Sequence, residues 1–343
     1  MGKKPLSKKK IKQLAKTEDR RASSLAAFNN FYQGQWGDRW PSLYSALQAP
    51  TRHACLLNRH ASPSAVQESV QLLPEGSKKV SYLRLAALES PNSERFPPPP
   101  RDPDGLCTYY LMDAASILAT EALELEEGDR VLDLCAAPGG KSLCMLQHDV
   151  FSLTSNEPSP DRRRRLRQVI ESYLPAAEEN RVQVTGKDGT NWGESEMYDK
   201  ALVDAPCSSE RHLLHDEEQL SEWTSKRTVN NAKRQRVLLT QALKAVRVGG
   251  IVVYATCSIS DAENDAVVLK VLKKRKIRVE VLRKQWPIGE ETKVGWIVLP
   301  DQKEPGGEGS HGWGPLYFAV MRKLESQGEY KEEDEDEDGD EGS

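Results

Sequence analysis

Between residues 131 and 256, five short apolar runs recur with helical stretches between them. This alternation constrains the fold more than any other feature of the chain. VLDLC (131–135), FSLTS (151–155), RVQVT (181–185), KALVD (200–204) and GIVVYAT (250–256) read as strands. PGGKSLCMLQ and PSPDRRRRLRQVIESYL read as the helices after the first two, and helical stretches at 230–247 and 262–275 flank the last. Strands joined by helical crossovers pair in parallel and need helices on both faces. The expected class is therefore α/β, a doubly wound, mostly parallel Rossmann-like sheet. RVEVL (278–282), WIVL (296–299) and LYFAVMR (316–322) are late strands, expected to close one edge as an antiparallel pair.

The flanks differ. Residues 22–90 are expected to form a small helical N-terminal region, with Trp36, Trp40 and Leu43, then Ala54, Leu56 and Leu57, near helical spacing. RFPPPPRDPDG (95–105) cannot be a helix interior or a central strand, because proline has no amide donor and a fixed φ. It reads as the connector, so that residues 22–104 precede a main domain at 105–324. Residues 1–21 carry 9 basic and 2 acidic residues and read as a basic disordered arm or a solvated helix end. Residues 325–343 carry 11 acidic residues and one lysine and read as an acidic disordered tail. The formal net charge of −4 thus hides an arm of +7, a tail of −10 and a body of −1.

Composition excludes several classes. No apolar run approaches the ~20 residues a bilayer span needs, so no membrane partner is expected. Six scattered cysteines without a CxxC pair or an apolar leader argue against a secreted disulfide scaffold and against structural zinc. Reduced thiols of an intracellular protein, and no metal site, are the expectation.

After the first strand runs Cys135-Ala136-Ala137-Pro138-Gly139-Gly140-Lys141-Ser142. Small residues at the carboxyl end of a strand let a ligand lie against the backbone beside a helix N-terminus. A phosphate-binding loop would need glycine where Cys135 stands, and a dinucleotide fingerprint needs more than Gly139-Gly140. Glu157, after the second strand, suits the two hydroxyls of an adenosine ribose. Asp188 follows the third strand and Asp204 the fourth. Carboxylates at successive strand ends of one sheet favour an adenosine cofactor.

Two cysteines also end adjacent strands, in Asp204-Ala205-Pro206-Cys207 and Ala255-Thr256-Cys257-Ser258. Cys55, Cys107 and Cys144 read instead as buried small hydrophobes. His212 and His215 lie near Cys207 in the chain, which keeps a Cys-His hydrolase as a rival reading. Thiol, carboxylate and adenosine cofactor fit one reaction well. Carbon 5 of cytosine is a feeble nucleophile until a thiolate adds at carbon 6 and makes the ring an enamine. That addition needs an acid such as Asp204 at ring nitrogen 3, and a base must later take the carbon 5 proton.

VLDLCAAPGGKS, LVDAPCS and VVYATCS…EN, in this order over about residues 105–323, resemble the Sun-domain RNA cytosine-5 methyltransferase family. The resemblance implies a Rossmann-like class I methyltransferase using S-adenosylmethionine. By the matched motifs, Cys257 would be the nucleophile and Cys207 would assist release of the methylated base. Residues 135–141 would cradle the methionine end of the cofactor, Glu157 its ribose and Asp188 its adenine amino group, with Asp204 between cofactor and cytosine. Many members continue Pro-Cys as Cys-Ser-Gly, whereas this chain has Cys207-Ser208-Ser209-Glu210-Arg211. That departure, QWGDRWPSL, YYLMDAAS and the Trp-Gly-Pro at 313–315 are similar to the mitochondrial branch. Its fourth member, which methylates small-subunit ribosomal RNA, is the better match, and its third, a transfer RNA enzyme, the next. The resemblance also implies a termination-factor-like helical-repeat partner and a mitochondrial location. The lysine-rich N-terminus with Glu18 and Asp19 is a poor transit peptide, which leaves nucleus or cytoplasm as the alternative.

Arg162–Arg165 with Arg167, and Lys226, Arg227, Lys233, Arg234 and Arg236, are candidate phosphate contacts. Lys273–Lys276 read rather as cations at a helix end. An unpaired cytosine is the expected target, because a paired one must first leave its stack. The rivals are a non-catalytic RNA-binding ribosome assembly factor and a methyltransferase acting on small molecules or protein. The latter would need neither cysteine.

Overall fold

In the computed structural model, the described residues are 8–91, 94–274, 277–303 and 311–325, with side chains from residue 18 onward. The chain opens with helix α1 (Lys8–Trp36) and, after one 3₁₀ turn, α2 (Trp40–Gln48). Pro41 stands in the first turn of α2, where its missing amide is harmless, and Leu43 and Leu47 lie one turn apart on the buried face. Residues 8–21, entered above as a disordered arm, continue α1, as the helix-end reading had it. Phe28 and Tyr32 carry α1 onto the body: Phe28 meets Trp223 edge-on at 5.2 Å, and Tyr32 stacks on Trp40 at 5.4 Å.

The rest of the N-terminal region is not helical throughout. Ala54, Leu56 and Leu57 belong to strand β1 (Ala54–Leu57), not to a helix. A four-residue segment with three buried members suits a strand as well as a helix turn, and periodicity cannot separate the two. Helix α3 (Pro63–Gln71) and strands β2 (Lys78–Lys79), β3 (Ala87–Glu89) and β4 (Tyr109–Met112) follow. These strands form an antiparallel sheet in the order β2-β3-β1-β4. Since β4 lies beyond the proline-rich connector, this sheet straddles the boundary expected at 104/105. The connector has no long element of its own, and it is tied down by Asp102, whose carboxylate accepts the amides of Ser62 and Leu106, each at 2.8 Å.

The main unit runs α4 (Ala114–Glu121), β5 (Arg130–Asp133), α5 (Gly140–Leu146), β6 (Ser152–Asn156), α6 (Pro160–Glu171), β7 (Val182–Thr185) and β8 (Tyr198–Asp204). It continues with α7 (Glu210–Leu214), α8 (Glu217–Ser221), α9 (Ser225–Ala245), β9 (Val246–Thr256) and α10 (Asp265–Lys273). Strands β10 (Val279–Val281), β11 (Glu290–Glu291), β12 (Trp296–Val298) and β13 (Leu316–Lys323) complete it. The sheet order is β11-β12-β13-β9-β8-β5-β6-β7, parallel from β9 to β7. All five expected central strands are present. The antiparallel edge is larger than the expected pair, because β13 joins β9 and also pairs with β12 and β10. The acidic tail beyond Glu325 lies outside the described residues.

Alternate strand residues feed two cores. Val131, Leu202 and Val253 face the layer of α4 to α6, while Leu132, Val203 and Tyr254 face α1, α2 and α9. Burial on both faces is why the central strands read as unbroken apolar runs. From β5 the chain crosses to β6 and β7 on one side, then returns to β8 on the other. The carboxyl ends of β5 and β8 therefore flank a topological switch point, where an open α/β sheet has its ligand crevice.

Phe28 has no solvent exposure, whereas Leu72 is 65% exposed. Phe28→Ala should cost about 3–5 kcal/mol, and Leu72→Ala under ~0.5 kcal/mol. Urea unfolding of the two variants measures the difference; equal midpoints would mean that α1 does not contribute to the cooperative fold.

Candidate active site

The loop after β5 leaves the sheet and enters α5 through Gly139, whose φ of 121° is closed to most side chains. A Cβ at Gly140 would lie 2.8 Å from the Tyr110 ring, so any side chain there would have to displace it. Two cavities flank Cys135. One, of about 250 Å³, is lined by Asp133, Cys135, Ala136, Pro138, Gly140, Lys141 and Asp204 among others. The other, of about 200 Å³, includes Cys135, Glu157, Ser159, Arg162, Gly189 and Arg234. An elongated ligand laid across Cys135 would occupy both.

Glu157 is buried, with Oε1 accepting the Ser159 amide at 2.9 Å and Oε2 paired with Arg162 at 3.0 Å. Arg162 also donates to the Ala137 carbonyl at 2.9 Å, tying the glycine turn to the second strand end. Among the expected cofactor residues, Asp188 stands apart. It is exposed, its Oδ1 accepts the Thr190 amide and hydroxyl, and these hold its carboxyl below the usual range. Its neighbour Gly189 lines the cavity instead. Ala137 and Gly139 shape the turn without lining either cavity.

Asp133 was missed. It ends the first strand inside the motif VLDLC rather than after it, so a search for carboxylates beyond the strands passed over it. It has no solvent exposure, and Oδ2 accepts the Ser142 hydroxyl at 2.7 Å. Oδ1 has no hydrogen-bond partner of acceptable geometry among the described residues, although the Cys135 amide biases it electrostatically. A buried, half-satisfied carboxylate beside a bare-backbone turn fits the charged end of an amino-acid-like ligand. Burial, aided by the charge of Asp204, raises its pKa from 3.8 to about 7 against the Ser142 hydrogen bond.

The switch point gathers the reactive groups. Lys141 Nζ donates to Asp204 Oδ2 at 2.8 Å. Burial disfavours the ammonium, but the Asp204 charge and hydrogen bond outweigh it and raise the Lys141 pKa. Parallel pairing of β8 and β9 sets Asp204 opposite Ala255. The loops that follow bring Cys207 Sγ to 3.0 Å from Cys257 Sγ, both thiols being free. Ser209 Oγ also lies 3.0 Å from Cys257 Sγ. Its hydrogen bonds with Cys207 and Ser209 hold the Cys257 thiol below its usual range against the cost of desolvation. The hydrogen bond between the two thiols, with burial, pushes Cys207 up.

Lys141, Asp204, Ser209 and Cys257 open into a larger cavity of about 820 Å³. His53, Arg95, Arg211, His212 and His215 give it a basic wall, with Glu94 and Asp113 the opposing carboxylates. His212 and His215 are thus in the cavity, but no hydrogen bond joins either to a cysteine among the described residues, as a Cys-His hydrolase would need. Of the basic clusters, Arg234 lines the Glu157 cavity and Arg162 is tied into it, while Lys226 and Lys233 stand exposed on α9.

Fold and site together define a Rossmann-like methyltransferase, with a two-thiol centre beside a backbone-lined crevice at the switch point. The chain belongs to the 16S rRNA methyltransferase RsmB/F family, whose profile matches residues 120–307. It is 36% identical to the 5-cytosine rRNA methyltransferase NSUN4 of Mus musculus over 91% of this chain and 92% of that one. It is 34% identical to the mitochondrial tRNA (cytosine(34)-C(5))-methyltransferase of Danio rerio, over 88% and 87% of the two chains. NSun6 from Pyrococcus horikoshii, solved with SFG, shares the fold at a TM-score of 0.67 and 18% identity, covering 88% of this chain and 98% of that one.

Asp133 generates a pH test. A native carboxyl titrating near 7, against 3.8 when unfolded, keeps a proton that the unfolded chain gives up, so it withdraws stability as pH rises from about 4 to 7. Asp133→Asn is uncharged throughout. Its melting temperature relative to the parent should rise across that window and level off above it. A constant difference would mean that the Asp133 carboxyl is not shifted.

Proposed function

We propose that the chain methylates carbon 5 of a cytosine in RNA through a transient covalent bond between Cys257 and the base. One observation carries the reading: two thiols 3.0 Å apart share a switch-point cavity with the Asp204–Lys141 pair. A methyltransferase acting on an oxygen or nitrogen nucleophile has no use for such a pair.

The crevice around Cys135 fits S-adenosylmethionine, which supplies an electrophilic methyl group when bound. Glu157 would hold its ribose, and the half-satisfied Asp133 with residues 135–141 its methionine end. Asp188, whose carboxylate is already engaged by Thr190, would reach the adenine edge alongside Gly189.

The Cys257 thiolate adds to carbon 6, forming a C–S bond, and ring nitrogen 3 takes up the displaced charge. The Asp204–Lys141 pair, rather than Asp204 alone, presents donor and acceptor to that edge, because Lys141 already donates to Asp204. Once carbon 5 carries its new methyl group, Cys207 assists release: the carbon 5 proton passes to a base that Cys207 provides or positions, the double bond re-forms and the Cys257 thiolate is expelled.

Small-subunit ribosomal RNA is the proposed substrate: the 36% identical mouse relative is an rRNA enzyme, and the family is one of 16S rRNA methyltransferases. Transfer RNA is the second reading, supported by the 34% identical zebrafish relative. The mitochondrial placement of that relative supports the same compartment here. A helical-repeat partner that adds RNA affinity belongs to the same proposal. We place the catalytic unit after β4, with α1, α2 and the antiparallel sheet as an N-terminal region packed against it.

Bisulfite sequencing of ribosomal and transfer RNA after loss of the gene identifies the target. Purified Cys257→Ala protein should leave that cytosine unmethylated, and full methylation would end the covalent reading. Cys207→Ala should accumulate a denaturant-resistant RNA–protein adduct on gels. A clean release by this variant would remove Cys207 from the release step.

A further inference from the structure

Ser209 holds φ 52° and ψ 58°, the left-handed region that residues other than Gly, Asn and Asp seldom enter. Its neighbours on both sides are pinned. Ser208 before it donates its amide to Glu263 at 3.1 Å and its hydroxyl to the same carboxylate. Glu210 after it accepts the Ser258 hydroxyl at 3.0 Å, the Ile259 amide at 3.1 Å and the Tyr32 hydroxyl at 2.5 Å. Ser208, Glu210 and Glu263 have no solvent exposure.

The two carboxylates form a reciprocal brace. Glu210 follows Cys207 and grips the residues after Cys257, while Glu263 follows Cys257 and grips the residue after Cys207. A strained residue persists only where its surroundings over-determine it, and such residues cluster at functional sites. Here the strain places Ser209 Oγ 3.0 Å from Cys257 Sγ and 3.4 Å from Cys207 Sγ. Glycine, found at this point in many chains of the resembling family, would fit the backbone without strain but has no hydroxyl.

We propose that Ser209 is a catalytic residue whose hydroxyl donates to the Cys257 thiolate and, beside the Cys207 S–H, enlarges the thiolate fraction at neutral pH. This rests on the reading of Cys257 as the nucleophile. The other groups facing that thiol are Asp204 from the end of β8 and Glu210 from α7, which oppose its charge, and Lys141 from α5, which favours it. None of these changes when Ser209 is replaced.

The test is alkylation of the full chain by iodoacetamide across about pH 6 to 10, with the Cys257 adduct read by peptide mass spectrometry. Ser209→Gly relieves the backbone and Ser209→Ala keeps its strain, yet both lose the hydroxyl. Each should move the alkylation midpoint up by about one pH unit, which is roughly a tenfold loss of thiolate at neutral pH. Methylation kcat should fall about tenfold at pH 7, with KM for RNA unchanged, and the deficit should close above the raised midpoint. Midpoints equal to the parent's, or a shift in the glycine variant alone, would overturn the proposal. The alkylation readout needs no RNA. A parent protein that methylates no RNA, with the alkylation shift intact, would sink the functional reading and leave the thiol inference standing.

Discussion

Parallel pairing of β8 with β9, with Asp204 opposite Ala255, is the constraint on which the rest of the site depends. Two cysteines fifty residues apart in the chain become partners only because both follow the same edge of one sheet. The side-chain period along a strand is two, so slipping the register by one residue would turn Asp204 away from the crevice and separate the thiols. Register is held by burial on both faces, with Leu202 and Val253 on one side and Val203 and Tyr254 on the other. The packing that stabilises the sheet is therefore also what sets the reactive geometry.

The N-terminal helices are part of this arrangement. Tyr32 of α1 reaches Glu210 inside the brace, and Arg211 donates to the Ala46 carbonyl of α2 and to the Gly312 and Gly314 carbonyls of the Trp-Gly-Pro segment. Arg52 stacks over Trp313, 4.5 Å from the ring centroid. Three segments remote in sequence thus meet behind the residues that follow Cys207. Glu210 and Arg211, directly after Ser209, make the ties to α1, α2 and the Trp-Gly-Pro segment.

Much of this was legible in the residues. The central strands stood out because buried parallel strands are apolar without interruption, Asp204 because it closes such a run, and Cys207 and Cys257 because each follows one. Glu157 was found by the same logic. The antiparallel N-terminal sheet escaped because its strands are two to four residues long and gain stability only from partners on either side of a proline-rich connector. Asp133 escaped through its place within a strand motif. The role of Arg162 escaped because nothing local in RRRR tells a side chain tied to Glu157 and the glycine turn from a phosphate contact. Left-handed Ser209 carried no local signal at all, since its conformation is imposed by Glu210 and Glu263 across some fifty residues of chain.

Burial also changes what the charge count says about partners. Twelve charged side chains of the described body are buried, nine acidic and three basic. Asp133, Glu157, Glu210 and Glu263 at the active site are among them, and burial raises both Asp133 and Glu263 to about 7, the Glu210 charge adding to the shift at Glu263. A polyanion approaching from solvent meets the exposed charges, since interior carboxylates are compensated locally by hydrogen bonds and neighbours. The mildly acidic pI of about 6.0 owes much to the tail from Glu325, whose net −10 outweighs a formal +6 for the rest of the chain. Four of the buried carboxylates serve the site: Glu210 and Glu263 brace the residues beside its thiols, and Asp133 and Glu157 line its crevice.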